Sequence, residues 1–175
     1  IEEVKRRDNI TLKLNTAISN YERTETGYEL RSKDGSFQAS CRLLIDASGA
    51  HSIFSRREAG LEKDNNHYAS AVRSYFSGVT GIHPDNFIEL HFLEKYNPGY
   101  FWIFPLPSGQ ANVGIGMRSD ILKKRDVNLR AALDDVIQSE QFRERFANAT
   151  QLTKTVGYGL PLGSKSRKLS GDHYL

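Results

Sequence analysis

Residues 100–105 read Tyr-Phe-Trp-Ile-Phe-Pro, and Gly-Ile-Gly follows after eight further residues, at 114–116. Aromatic residues make up 10% of the chain, so four of them within five positions are a local concentration. In a β-strand successive side chains point to opposite faces, which places Tyr100, Trp102 and Phe104 together on one face. Three rings on one face form either a wall of the hydrophobic core or the floor of a pocket for a flat or oily ligand.

A β-hairpin is the predicted setting of this aromatic strand. Residues 107–109 are Pro-Ser-Gly, which are typical turn residues, and the segment 111–117 is predicted to be the returning strand. Gly114 and Gly116 on that strand leave the backbone bare where another group approaches closely. Periodicity alone does not decide between a buried hairpin without a ligand and the wall of a pocket.

The spacing of these residues resembles a known signature. Tyr-x-Trp-x-Phe-Pro, then seven or eight residues, then Gly-x-Gly is similar to the motif of the geranylgeranyl reductase family of flavoproteins, and Pro98 extends the match. The resemblance favours the pocket and implies that it binds an isoprenoid chain. The residues that it assigns to substrate binding are Tyr100, Trp102, Phe104, Gly114 and Gly116.

A second distinctive stretch is the apolar run 42–45 followed by Asp46-Ala47-Ser48-Gly49-Ala50-His51-Ser52. The run is predicted to be a buried strand of the parallel-sheet type, and Ser52 to cap a helix that begins at Ile53. Doubly wound folds place cofactors at such a corner, where helix amide groups suit a phosphate or a ribose oxygen. A strand-turn-helix corner without a ligand fits the same pattern.

This corner resembles the mid-chain FAD motif of the hydroxybenzoate-hydroxylase-like flavoproteins. The hydroxylases have Gly-Ala-Asp-Gly there, whereas this chain has Asp46 for the first glycine and Ser48 for the aspartate. The Asp-Ala-Ser-Gly form resembles that of the reductases and of flavin-dependent halogenases, and it argues against a pyridine-nucleotide-dependent aromatic hydroxylase. The resemblance assigns cofactor binding to Ala47, Ser48 and Gly49, and places Ile18 beside the adenine.

The chain as a whole is predicted to have an α+β fold in three segments. Residues 1–65 form part of an FAD-binding α/β domain that includes a small antiparallel meander. Residues 66–163 form an antiparallel substrate-binding sheet domain with helices on one face, at 120–148. Residues 164–175 return to the FAD-binding domain.

Individual elements follow from alternation and turn residues. Strands are predicted at 10–19, 86–92 and 152–162, and Asp34-Gly35 is predicted to turn a hairpin. Ser139 is predicted to cap a short helix that follows it.

Composition indicates a globular chain of about one domain, with 175 residues, 38% hydrophobic and 26% charged. The net charge of +3 is spread over short basic runs, which favours solvated faces over nucleic-acid binding. The single cysteine, Cys41, indicates a reducing compartment, and a cytoplasmic location with peripheral membrane contact is predicted. The histidines show no metal-ligand spacing, so no metal site is predicted, and the adjacent His51 and Ser52 do not by themselves indicate a hydrolase.

FAD is expected in a longer protein of which this chain is a piece. The sequence contains no Gly-x-Gly-x-x-Gly, the site where such flavoproteins hold the FAD pyrophosphate. The chain begins without methionine and ends where a strand begins, so both ends are interpreted as cut. We therefore expect the full-length protein to bind FAD and this piece alone not to bind it well.

The predicted function is an FAD-dependent oxidoreductase that reduces geranylgeranyl-type double bonds by hydride transfer from reduced flavin. Its expected partners are a prenylated lipid or isoprenoid substrate and an electron donor for the flavin. A flavin-dependent monooxygenase or halogenase acting on an aromatic substrate is the alternative with the same fold. A non-catalytic domain that binds a lipid or a protein is the alternative from another class. Catalytic residues are not assigned, although Tyr75, Tyr96 and His91 are candidate proton donors.

Overall fold

The fold is described from a computed structural model that covers residues 1–175. It divides into two compact units, residues 1–62 with 167–175 and residues 63–166. Both units combine helices with antiparallel strands, which confirms the predicted α+β class. None of the helices has the length and apolar composition needed to cross a membrane.

The first unit contains a three-stranded antiparallel sheet and two short helices. In chain order its elements are α1 (Glu2–Lys5), β1 (Ile18–Thr24), β2 (Gly27–Ser32), β3 (Gln38–Cys41) and α2 (Ile53–Glu58). The predicted turn between β2 and β3 is present, with Gly35 at φ +73°. The Asp34 carboxylate stabilises this turn, because it accepts hydrogen bonds from the Ser36 amide and from the hydroxyls of Ser32 and Ser36.

The predicted strand over residues 10–19 is wrong in most of its length. Strand β1 begins at Ile18, and residues 10–17 contain no helix or strand. Ile10, Leu12 and Leu14 are exposed, so their alternation does not produce a buried face. An alternating pattern forms a strand only where a neighbouring strand pairs with its backbone groups, and only β1 proper has that neighbour in β2.

The predicted buried strand at 42–45 is also corrected. Leu44 makes one parallel bridge with Tyr174, whereas Leu43 and Ile45 are exposed. The amide of Leu44 donates to His173 O at 2.9 Å, and the amide of Leu175 donates to Leu44 O at 2.9 Å. The segment is extended but short, because its only backbone partner is the C-terminal stretch 173–175.

Phe54 of α2 forms the centre of the core of the first unit. Its ring is 1% exposed and lies 5.1, 5.2 and 5.4 Å from the ring centroids of Tyr21, Tyr28 and Tyr174. The Tyr28 and Tyr174 rings meet it edge-on, which is a favoured aromatic geometry. This cluster joins the meander, the helix and the C-terminal residues into one unit.

The second unit is a six-stranded antiparallel sheet with three helices on one face. Its elements are β4 (Tyr68–Ser77), β5 (Glu89–His91), β6 (Gly99–Leu106), β7 (Gln110–Arg118), α3 (Ser119–Arg125), α4 (Leu129–Gln138), α5 (Arg143–Phe146), β8 (Thr150–Gln151) and β9 (Val156–Pro161). The strand order is β5-β6-β7-β4-β8, and β9 also pairs with β4. Helix α4 begins where the Asn128 side chain accepts the amides of Arg130 and Ala131.

Three predictions for this unit need correction. Strand β5 covers only 89–91 of the predicted 86–92. The predicted strand 152–162 is interrupted, since the Thr153 side chain and carbonyl bind Tyr75 N and Ser74 Oγ at 3.1 and 2.6 Å and take the place of ladder pairing. The Ser139 hydroxyl donates to Val136 O at 2.7 Å, so it binds the last turn of α4 instead of capping the next helix.

Candidate functional site

The aromatic hairpin lies in the middle of the second unit, where β6 and β7 pair along their whole length. Phe101 and Ile103 are fully buried against the helices. Tyr100, Trp102 and Phe104 lie on the other face, as the alternation predicted, and Trp102 is the most buried of the three. The hairpin is therefore a core wall on one side and an accessible aromatic surface on the other.

Four rings form a ladder on this accessible face. The centroids of Phe92 and Tyr100 are 6.0 Å apart, those of Tyr100 and Trp102 are 5.8 Å apart, and those of Trp102 and Phe104 are 5.9 Å apart. Each contact is tilted, within the range at which aromatic pairs attract. The ladder gives the sheet a continuous apolar surface.

A cavity of about 410 Å³ opens on this surface. Its walls also contain small residues of β4 and β7, together with Leu160 and Leu162. Arg118 is the one charged residue in these walls. The lining residues are Ala69, Ala71, Pro98, Gly99, Tyr100, Trp102, Phe104, Gly116, Met117, Arg118, Leu160 and Leu162. This volume and apolar lining are typical of small-molecule sites.

The one charge in the cavity wall is neutralised by its neighbour. Arg118 donates from Nε and from a terminal nitrogen to the two carboxylate oxygens of Asp120, at 2.7 and 2.5 Å. These hydrogen bonds lower the pKa of Asp120 to about 2. The residues that line the cavity are thus mostly apolar, and the one charged residue among them is paired with Asp120.

The two glycines of the motif lie in different surroundings. Gly116 lines the cavity, and a Cβ added there would meet Ala71 Cβ at 3.2 Å and Trp102 Cζ3 at 3.6 Å. Gly114 does not line it, because the Trp102 indole covers this position from the neighbouring strand. The group that approaches the bare backbone at Gly114 is therefore a side chain of the protein.

Asn112 is a site residue that the sequence analysis missed. Its Oδ1 accepts the indole N–H of Trp102 at 3.0 Å, which fixes the orientation of the ring. Asn112 pairs with Phe104 across the hairpin, so its side chain lies on the aromatic face. In the sequence, the feature that could have identified it was a polar residue on this face of the returning strand.

The three candidate proton donors are separated by the sheet. Tyr96 is buried and donates to Asp135 at 2.8 Å, and His91 contacts the core ring of Phe142 at 4.9 Å, so both lie on the helix side. Tyr75 pairs with Asn112 and therefore faces the same side as the aromatic ladder. Of the three, only Tyr75 lies on the face that carries the cavity.

The predicted cofactor corner is organised by Asp46. Its carboxylate accepts hydrogen bonds from the hydroxyls of Ser48, Ser52 and Ser55, the last at 2.6 Å. Burial raises the pKa of Asp46, but the three serine hydroxyls lower it by more, so the net pKa is below its ordinary value. As predicted, Ser52 caps α2, since its Oγ accepts the Ser55 amide at 2.9 Å.

The exposed part of this corner fits close approach by a ligand. Ala47, Ser48 and Gly49 are exposed, and Gly49 has φ +79° with no atom within 4 Å of the position of a Cβ. The expected contribution of helix amides is smaller than predicted, because α2 has six residues and Ser52 already binds one amide of its first turn. Ile18 is half-buried at the start of β1, where it pairs with Ser32.

Comparison with known proteins finds a family model, relatives in sequence and neighbours in structure. The family model described as geranylgeranyl reductase catalytic domain matches residues 67–158, more than half of the chain. A menaquinone reductase of Mycobacterium tuberculosis (strain H37Rv) is 30% identical over 144 residues, which are 79% of this chain and 34% of that protein. A digeranylgeranylglycerophospholipid reductase 2 of Methanopyrus kandleri is 31% identical over 153 residues, which are 85% of this chain and 37% of that protein.

Two solved structures show the same fold. A geranylgeranyl bacteriochlorophyll reductase-like protein of Thermoplasma acidophilum superposes with a TM-score of 0.68 at 22% identity, covering 94% of this chain and 38% of that one. The halogenase PltM, solved with phloroglucinol and FAD, superposes with a TM-score of 0.62 at 14% identity, covering 82% and 32%. The chain spans about a third of the length of the curated relatives that it matches.

Proposed function

The chain belongs to the geranylgeranyl reductase catalytic-domain family, and from this premise we propose that the full-length protein is an FAD-dependent oxidoreductase that reduces isoprenoid double bonds. The apolar cavity beside Tyr100, Trp102 and Phe104 is the observation that carries the proposal. An isoprenoid chain is long and apolar, and it contains planar double bonds at regular intervals. Such a chain suits a cavity that is walled by rings and small side chains and has no unpaired charge in its lining.

The residues of this chain bind and orient the substrate in the proposed reaction. The aromatic ladder excludes water and aligns the chain, while Gly116 and Ala71 leave it room. Reduced FAD, when bound, would supply a hydride to one carbon of the double bond, and a proton donor would supply the proton that completes the other carbon. Gly114 contributes indirectly, because its missing side chain allows Trp102 to lie flat on the sheet.

FAD contact is proposed at the exposed corner formed by Ala47, Ser48 and Gly49, with Ile18 beside the adenine. Open space in front of Gly49 and the exposure of all three corner residues support close approach of the cofactor. Asp46 is already satisfied by serine hydroxyls, so its role in this proposal is to hold the corner in shape. A cavity of about 300 Å³ that Asp46 and Ser55 help to line adjoins the corner.

Peripheral contact with a membrane is proposed for the same domain, together with a cytoplasmic location and a separate electron donor for the flavin. Strand β5 and its flanks expose Phe87, Ile88, Leu90 and Phe92, the last at 75%. A prenylated lipid in a bilayer reaches the cavity most directly when this apolar edge touches the bilayer. Sedimentation of the full-length protein with anionic and neutral vesicles tests this, and the absence of binding to either would contradict it.

Visible absorption of the full-length protein, purified without added cofactor, tests the main proposal. We expect a flavin spectrum that bleaches with dithionite and recovers, without oxygen, when a prenylated lipid is added. Recovery only with oxygen would instead indicate the monooxygenase or halogenase, whose fold this chain shares. The absence of flavin after incubation with FAD would leave a lipid- or protein-binding domain.

A further inference from the structure

Arg73 lies in the middle of β4 on the face that carries the aromatic ladder. It pairs with Gly114 of β7, and Gly114 pairs with Trp102 of β6. Residues that stand opposite one another in neighbouring strands point to the same face, so the Arg73 side chain is on the Trp102 side of the sheet. On its other edge Arg73 pairs with Val156 of β9, which holds this part of β4 between two strands.

The Arg73 side chain is half-buried and has no hydrogen-bond acceptor. It makes neither a salt bridge nor a hydrogen bond, and its one polar contact is the face of the Tyr75 ring, 4.6 Å from the guanidinium carbon. By contrast, Arg145 is also half-buried but has acceptors, since it binds both oxygens of Glu89 and two backbone carbonyls. A partly desolvated guanidinium without an acceptor is costly, so the free donors of Arg73 mark a place where an anion is stabilised.

The Tyr75 ring lies beneath the guanidinium of Arg73. The backbone of Tyr75 is fixed, because its amide donates to Thr153 Oγ1 at 3.1 Å and its carbonyl accepts the Leu152 amide at 2.8 Å. A guanidinium stacked on such a ring keeps its planar fork free for two parallel hydrogen bonds to a carboxylate or phosphate. The Arg73–Tyr75 pair therefore has the geometry of an anion-binding point.

This point lies next to the apolar cavity. Ala71, two residues before Arg73 on the same face of β4, lines the cavity, and alternate residues of a strand are about 7 Å apart. Arg118, the cation in the cavity wall, is already neutralised by Asp120 and offers no comparable attraction. When the apolar chain of an amphiphile lies in the cavity, its head group is thus within reach of Arg73.

We propose that Arg73, seated on the ring of Tyr75, binds the anionic phosphate head of a prenyl substrate whose chain occupies the cavity. This inference rests on the proposed function and narrows it to substrates with an anionic head. Arg73 is a specificity-determining residue in this role, and it takes no part in the transfer of hydride. The sequence signal is that Arg73 is the single charged residue of β4.

The test compares two ligands that differ only in the phosphate, geranylgeranyl phosphate and geranylgeraniol. Their dissociation constants are measured by calorimetry on the full-length, FAD-loaded protein and on its Arg73→Gln and Arg73→Lys variants. We expect Arg73→Gln to weaken binding of the phosphate by roughly 10- to 100-fold and of the alcohol by less than twofold. Arg73→Lys keeps the charge but loses the fork, so its loss lies between these values. Arg130→Gln, which removes an exposed arginine from α4 on the opposite face, is the matched control and changes neither constant.

Two results would overturn the inference. If the ratio of the two dissociation constants is the same in Arg73→Gln as in the wild type, Arg73 does not recognise the phosphate. An equal loss for both ligands, with a shifted flavin reduction potential, would assign Arg73 to the cofactor instead. Failure of the proposed function is distinguishable from both, because then neither ligand binds the wild-type protein.

Discussion

The indole ring of Trp102 occupies the space in which a side chain at Gly114 would stand. A Cβ built on Gly114 would lie 2.3 Å from Trp102 Cζ2 and 2.4 Å from the backbone oxygen of Val72. Trp102 and Gly114 are direct cross-strand partners, and the indole N–H is bound by Asn112 two residues earlier on β7. The spacing of the motif is thus explained within the hairpin, since a flat ring on one strand requires a bare backbone on the next.

The first prediction concerns the two motif glycines. Gly114→Ala is expected to destabilise the protein by about 3 kcal/mol, because the added methyl group overlaps both the ring and a backbone atom that cannot move away. Gly116→Ala is expected to cost about 1 kcal/mol or less, since its nearest neighbour is 3.2 Å away. Urea denaturation measures both values, with Gly163→Ala, where a Cβ meets nothing within 4 Å, as the control. Equal costs at 114 and 116 would contradict the proposed packing of the ring.

The second prediction concerns the cavity wall. Tyr100→Ala in the full-length enzyme is expected to raise KM for a prenyl substrate by about 10-fold, because an aromatic contact with the chain is lost. Tyr100 is 38% exposed, so the fold should survive the change. Leu152→Ala is the matched control, since Leu152 is an exposed apolar side chain outside both the cavity and the β5 edge. A wild-type KM for Tyr100→Ala would remove this face from substrate binding.

The third prediction concerns the ion pair between α5 and β5. Glu89→Gln is expected to destabilise the protein at pH 7 by about 2 kcal/mol, because it leaves the half-buried Arg145 without its bidentate partner. Chemical denaturation measures this difference. Glu94→Gln, which changes an exposed carboxylate of the same unit, should have little effect.

The pH dependence of this difference provides a second check. Hydrogen bonds from Arg145 lower the pKa of Glu89, against the opposing effect of burial. A carboxylate with a lowered pKa contributes its stabilisation above its ordinary pKa of 4.5, and the contribution disappears as the pH falls through the lower value. The gap between the wild type and Glu89→Gln should therefore narrow as the pH falls below 4.5 and close as the pH falls through the lowered pKa. A gap that does not narrow as the pH falls below 4.5 would show that the carboxylate charge is not its cause.

The fourth prediction concerns the aromatic cluster of the first unit. Phe54→Ala is expected to destabilise that unit by about 3–5 kcal/mol, because it removes the ring that three tyrosines contact. Near-ultraviolet circular dichroism during denaturation follows the loss of this cluster. Ile53→Ala, at the exposed neighbouring position, should change stability by less than about 1 kcal/mol.

Much of the candidate site follows from local patterns. Alternation placed Tyr100, Trp102 and Phe104 on one face, and Pro-Ser-Gly located the turn of the hairpin, because both depend only on strand periodicity and backbone preference. Ser52 was likewise recognisable as a helix cap, since capping involves residues that are close in sequence. The family motif is carried by the same short stretches.

Features that depend on distant neighbours were not accessible in this way. The strand predicted at 10–19 has the right alternation but no partner before Ile18, and the strand at 152–162 is broken where Thr153 binds β4. The direction of His91 towards the core, opposite to Tyr75, also depends on which face the helices cover.

By itself, the sequence determined the α+β class, the aromatic hairpin and the geranylgeranyl reductase family, because each is recorded in periodicity or in a short motif. Only the tertiary structure decided that Trp102 covers Gly114, that Asn112 orients the indole, and that Arg73 lies beside the cavity on the face of the aromatic ladder without an acceptor. The physical reason is that these relationships join side chains on different strands. Their geometry is set by strand register and by what the rest of the sheet leaves unpaired.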